Sequence, residues 1–181
     1  EALGIGRQVA QALRAAHAAG VLHRDVKPEN VFLCEGEGLV KLLDFGLSRA
    51  LTAADGSLRL TQTGVILGTP LYLSPEQARG AEDLDHRVDL YALGVLLYES
   101  LTGQVPYSGG NYLAVIAQIL TQAPPPPRAV RPGLSEAAER IVLRAMHPDR
   151  DQRYASAGAI VADIDKVLAP GGAAEAGVAA A

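Results

Sequence analysis

From Asp89 to Leu101 the chain is apolar almost all the way round a helix, with Leu90, Tyr91, Leu93, Val95, Leu96, Leu97, Tyr98 and Leu101 leaving little face for water. A helix of that kind is stable only where other elements cover it on every side, so this segment is expected to run through the middle of a helical domain. Asp85 is the expected N-cap and Gly103 the stop. At 181 residues the chain can build one such domain with a substantial core, and not two.

Periodicity supplies the covering elements. Ile5, Val9, Ala12, Leu13 and Ala16 recur at helical spacing between Leu3 and Ala19, and Gly20 ends the run. Further helices are predicted from Asn111 to Gln122, from Ser135 to Met146 and from Ser156 to Leu168. Val31 to Cys34 and Leu39 to Leu43 are short and β-prone, and the acidic, glycine-bearing turn from Glu35 to Gly38 makes them a small hairpin. The prolines from Pro124 to Pro127 read as a stiff connector. Residues 48–69 lack periodicity, and a loop of that length in a compact domain is functional or disordered. The domain is expected to cover residues 1–169, followed by a disordered Ala/Gly-rich tail over 170–181.

Composition narrows the class. The formal net charge of −4, without a basic run, argues against nucleic acid or a membrane surface as partner. Cys34 is the only cysteine, so an internal disulfide is excluded and a reduced cytoplasmic thiol expected. No stretch approaches the ~20 apolar residues that span a bilayer. The chain opens at Glu1 inside a helical pattern and its sole methionine is Met146. It is therefore expected to be a piece of a longer polypeptide.

Three motifs carry chemistry. His23-Arg24-Asp25-Val26-Lys27-Pro28-Glu29-Asn30 follows the first helix, Asp44-Phe45-Gly46 follows the hairpin, and Ser74-Pro75-Glu76 closes the long loop. Two carboxylates and a carboxamide thus sit on turns flanking two short strands. Their oxygens are hard ligands suited to Mg²⁺, which takes one or two protein carboxylates plus substrate phosphates. A carboxylate left over can accept a proton from an attacking hydroxyl.

In type and order these motifs resemble those of the eukaryotic-type protein kinase superfamily. At roughly one in twenty per position, the seven fixed residues of the first two coincide by chance about once in 10⁹ placements. The resemblance runs from the first helix through Leu168. Leu60-Thr61-Gln62-Thr63 and the run from Gly68 to Gly80 are similar to the bacterial receptor-type Ser/Thr branch. The implied fold is mainly α: a kinase C-terminal lobe, a helical bundle with a small β-hairpin and an activation loop. The implied activity is transfer of the ATP γ-phosphoryl group to Ser or Thr hydroxyls of proteins, with Mg²⁺ (or Mn²⁺) as cofactor.

Carried over one residue at a time, Asp25 resembles the catalytic aspartate, and Asn30 and Asp44 the two metal ligands. Lys27 would neutralise charge on the transferred group, and Thr69 would hydrogen-bond Asp25 and Lys27. Phe32 falls where the family has the adenine floor, although a core aromatic on a short strand is an equal reading. Arg24 marks kinases in which a basic pocket receives a phosphorylated loop, with Thr61 and Thr63 as the candidate phosphorylation sites. His23 and Phe45 are expected in an internal hydrophobic stack, Asp89 as holder of the catalytic-loop backbone, and Glu76 with Arg153 as a buried ion pair. Val26 and Ser74 depart mildly from the commoner Leu and Ala. The family's Gly-rich loop, strand lysine and helix glutamate are not found in these residues. They belong to the small lobe, which the resemblance puts upstream of Glu1. Further implied partners are protein substrates and a second copy for autophosphorylation, and the implied location is cytoplasmic, either as a free protein or as the cytoplasmic part of a membrane-anchored kinase. The alternative is a non-catalytic, kinase-like interaction module that holds a partner beside the helix from Asn111 to Gln122.

Overall fold

The computed structural model describes residues 1–34, 36, 38–44 and 70–169. Phe45, Thr61, Thr63, Thr69 and the tail over 170–181 lie outside the described residues. The helices are α1 (Ala2–Ala18), α2 (Pro75–Ala78), α3 (Arg87–Thr102), α4 (Tyr112–Thr121), α5 (Pro127–Val130), α6 (Glu136–Ala145) and α7 (Ala157–Leu168). Strands β1 (Val31–Leu33) and β2 (Val40–Leu42) pair antiparallel, with Val31 opposite Leu42 and Leu33 opposite Val40. Short 3₁₀ turns occupy Pro28–Asn30, Pro70–Tyr72 and Arg150–Gln152.

Helix α3 is the axis, as its all-round apolar surface demands. Every residue from Val88 to Tyr98 is buried, and so is Leu101. Helices α1 and α6 pack against it, α7 packs on α1 and α6, and β2 lies against α1. The start of α3 differs from the expected N-cap. The helix begins at Arg87 with His86 at the N-cap, but the Asp85 carboxylate still accepts the Arg87 N–H at 2.8 Å. Because Asp85 also pairs with the Arg87 guanidinium at 2.7 Å, it does its capping from one residue further out. At the far end Gly103 takes the left-handed conformation, φ 78°, that stops a helix.

Asn111, Ser135 and Ser156 each accept an N–H from the third residue of the helix they open, so all three predicted starts are side-chain caps. The proline run is not purely a connector. Pro127 opens α5, a position where its missing N–H costs nothing. Helix α2 and the turn at Pro70–Tyr72 were not anticipated, being too short to show a period.

Gly94, in mid α3, marks the closest approach to α6. A Cβ there would stand 2.7 Å from Met146 Cγ and 2.9 Å from Ala145 Cβ, and backbone lies 3.2 Å away. Gly94→Ala is therefore expected to push two core helices apart. The cost of ~1–3 kcal/mol for overpacking outweighs the helix-propensity gain. At 2–4 °C per kcal/mol for this size, the thermal midpoint should drop by roughly 2–12 °C. An unchanged midpoint would show that the two helices yield.

Candidate active site

Between α1 and β1 the backbone makes a tight excursion that brings His23, Asp25, Lys27 and Asn30 together. Pro28 presets the 3₁₀ turn Pro28–Asn30, in which the Asn30 N–H reaches back to the Lys27 carbonyl at 3.0 Å. That turn folds Asn30 under the loop, where it is 6% exposed. Its Nδ2 donates to the Asp25 carbonyl at 2.7 Å and to Asp25 Oδ2 at 3.0 Å. The Lys27 ammonium meets the same Oδ2 at 2.8 Å. Among the described residues, both side-chain contacts to Asp25 thus fall on Oδ2. The Asp25 side chain is 46% exposed, open enough to be reached.

Loop and hairpin are tied at two points. The Leu43 N–H donates to the Asn30 carbonyl at 2.8 Å, and the Leu43 carbonyl lies 2.8 Å from His23 Nε2. Asp44, the next residue, is thereby held at the exit of β2 beside the loop, exposed, with φ 63°. His23 is fully buried, yet its surroundings are not those of an apolar stack alone. Its Nδ1 accepts the Asp25 N–H at 3.3 Å, so Nε2 is the protonated nitrogen that donates to Leu43.

Asp89 organises the backbone from below. Entirely buried in the first turn of α3, it accepts the His23 N–H at 2.9 Å on Oδ2 and the Arg24 N–H at 2.6 Å on Oδ1. The His17 ring, from the last turn of α1, adds a third contact at 2.8 Å. These bonds hold Arg24 at φ 66°, a left-handed conformation that costs a non-glycine residue on the order of 1–3 kcal/mol. His17 carried no signal in the sequence, since a histidine in a helix's last turn ordinarily serves the helix dipole.

A second cluster lies behind the loop. Ser74 and Gln77 form a capping box that opens α2. Glu76, one residue earlier than Gln77, meets Arg153 in a two-pronged pair at 2.7 and 2.8 Å. Arg153 is completely buried and spends its other donors on the carbonyls of His147, Pro148 and Arg87, with the guanidinium 4.9 Å from the centre of the Tyr91 ring. Burial pushes the Glu76 carboxyl up, but the bonds and charge of Arg153 outweigh it and hold the carboxyl below the ordinary range. Tyr72, also unanticipated, donates to Glu99 of α3 at 2.5 Å.

Phe32, on β1, is 57% exposed and so is not a core aromatic. Among the described residues no group of three or more His, Cys, Asp or Glu is poised to hold a metal, and no helix is long and apolar enough to cross a membrane. The donor set nonetheless suits Mg²⁺. With its amide nitrogen committed to Asp25, the Asn30 side chain has its carbonyl oxygen left as a hard ligand, and the exposed Asp44 carboxylate supplies a second.

The chain matches the family model described as protein kinase domain over residues 1–163. It is 45% identical over 165 residues to Serine/threonine-protein kinase pkn3 of Myxococcus xanthus, a match covering 88% of this chain and 30% of that protein. Against Serine/threonine-protein kinase PknB of Mycobacterium tuberculosis the identity is 43% over 157 residues, covering 87% and 24% respectively. The chain thus spans less than a third of the length of these curated relatives. A crystal structure of Rad53 1-466 in complex with AMP-PNP superposes with a TM-score of 0.69 at 28% identity, over 88% of this chain and 38% of that one.

Proposed function

The chain belongs to the protein kinase family, and from that premise we propose that it is the catalytic lobe of a Ser/Thr protein kinase. The observation that carries the reading is the shared Oδ2 of Asp25. Lys27 and Asn30 both fix Oδ2, so among the described residues it is Oδ1 that is placed to accept a proton from an incoming hydroxyl. The substrate class, protein Ser or Thr, rests on Lys27 two residues beyond Asp25 and on relatives named Ser/Thr kinases. ATP is the proposed phosphoryl donor, with Phe32 exposed where the adenine would rest, and the Rad53 structure holds AMP-PNP, an ATP analogue. Asn30 and Asp44 would hold Mg²⁺, which when bound offsets charge on the phosphoryl oxygens. Arg24, with Thr61 and Thr63, is the proposed regulatory set, and Thr69 a proposed partner of Asp25.

Phosphoryl transfer is mostly positioning and electrostatics, so a one-sided cleft should not suffice. These 181 residues on their own are expected to transfer negligible phosphate to a protein. The test is incubation of the full-length polypeptide that contains this sequence with γ-labelled ATP, Mg²⁺ and a Ser/Thr protein substrate. Label should appear on Ser or Thr, vanish with EDTA, and require more Mg²⁺ for half-maximal rate in Asn30→Ala and Asp44→Ala. A full-length protein that neither binds Mg-ATP nor labels any substrate would instead support the non-catalytic interaction module.

A further inference from the structure

The Gln77 side chain reaches in two directions. Its Oε1 accepts the Ser74 N–H at 3.1 Å and so completes the cap of α2. Its Nε2 donates to the Arg24 carbonyl at 3.2 Å, a contact that plays no part in capping and joins positions 53 residues apart. The Arg24 carbonyl belongs to the peptide that delivers the Asp25 N–H, and that N–H is in turn held by His23 Nδ1. Arg24 is the left-handed residue whose own N–H is held by Asp89. Its N–H is therefore fixed from α3 and its carbonyl from α2. A left-handed residue without glycine's freedom persists only when its surroundings over-determine it, and Gln77 supplies the side of that restraint which Asp89 cannot reach.

We infer that Gln77 is a positioning residue for Asp25: by holding the Arg24 carbonyl it fixes the peptide plane from which the Asp25 side chain departs. This rests on the kinase reading of the site. It also makes one mechanical unit of two features that the sequence separates. Arg153 holds Glu76, Gln77 is the next residue in the same short turn, and Gln77 holds the loop of Asp25. A turn that shifts at Ser74–Gln77 thus shifts the carboxylate.

Two substitutions separate the two ends of the side chain. Gln77→Glu keeps an acceptor for the Ser74 N–H but sets an oxygen against the Arg24 carbonyl. Gln77→Lys keeps a donor for that carbonyl but gives up the cap acceptor. In the full-length polypeptide, Gln77→Glu is expected to lower kcat roughly 10- to 100-fold, the scale of a misplacement near 1 Å. The KM for ATP should stay within about twofold, as expected when only transition-state interactions are lost. The thermal midpoint should stay near that of the parent, while amide hydrogen exchange at Asp25 accelerates. Gln77→Lys should recover part of the kcat although it melts earlier. If activity merely follows stability, so that Gln77→Lys is the less active and Gln77→Glu matches the parent, the positioning role is wrong. Should the unsubstituted protein show no Asp25-dependent transfer, the kinase reading fails, and the exchange measurement still decides. An Asp25 amide that exchanges equally in parent and Gln77→Glu overturns the inference on its own.

Discussion

Asp25→Asn in the full-length polypeptide is expected to lower kcat roughly 100- to 10,000-fold, the range that a positioned general base contributes. The substitution is nearly isosteric, and the geometry says which part of the side chain it disables. The contacts from Lys27 at 2.8 Å and Asn30 at 3.0 Å fall on Oδ2, and an asparagine can turn its carbonyl oxygen toward both. What then faces the substrate is an NH₂ group, which cannot accept the hydroxyl proton. Binding of Mg-ATP should persist, because the proposed ligands Asn30 and Asp44 are untouched, so the KM for ATP should move little while kcat collapses. Folding should persist too, since the side chain is 46% exposed and no core contact is removed. Steady-state kinetics with a thermal melt on the same samples checks all of this. Transfer that survives in a well-folded Asp25→Asn protein would remove Asp25 from the base role and return attention to Asp44.

The sequence exposed the fold and the loop chemistry to different depths. The buried body of helix α3 could be read because nothing but a buried helix tolerates Leu, Tyr and Val on every face, although its cap falls at His86 and not at Asp85. The starts of α4, α6 and α7 were equally legible, since Asn and Ser before apolar periods are mechanical signals. Short elements escaped: four residues of α2 cannot display a 3.6-residue period. In the candidate site, residue types and spacing announced Asp25, Asn30 and Asp44. Spacing could not show that Lys27 and Asn30 share one oxygen of Asp25, since that depends on how the Pro28–Asn30 turn bends. His17, Gln77 and Tyr72 were invisible for a related reason. Each acts across 27 to 72 residues of sequence through a side chain whose type is ordinary where it stands. The stretch from 45 to 69, which includes Phe45, Thr61, Thr63 and Thr69, lies outside the described residues, so those assignments rest on the sequence resemblance.

Arg153→Met is expected to be the most destabilising single change outside the apolar core, costing ~3–5 kcal/mol, the penalty for leaving a buried charge without its partner. For a domain of this size that is a fall of roughly 6–20 °C in thermal midpoint, and a large share of the ~5–15 kcal/mol that holds a typical domain together. Two features set the site apart from an exchangeable ion pair. First, all five guanidinium donors are used: two on Glu76 and three on the carbonyls of His147, Pro148 and Arg87. Replacing both partners with apolar residues often restores stability at simple buried pairs. Here Glu76→Leu/Arg153→Met should remain destabilised, because three backbone acceptors have lost their donor. Second, the effect has a pH signature. Glu76 is held below the ordinary carboxylate range, so the pair's contribution is complete above the unfolded glutamate pKa near ~4.3 and is lost as pH falls through the native value. In Arg153→Met the same carboxyl is buried without its cation and is pushed up instead, so the variant loses stability as pH rises. The gap between parent and variant should therefore be widest near neutrality, begin to narrow above ~4.3 as pH falls through the variant's raised value, and go on narrowing until pH passes the parent's lowered one, as read by urea titrations across that range. A gap of constant size would mean that the carboxylate contributes little, and that Arg153 acts chiefly by holding the three carbonyls.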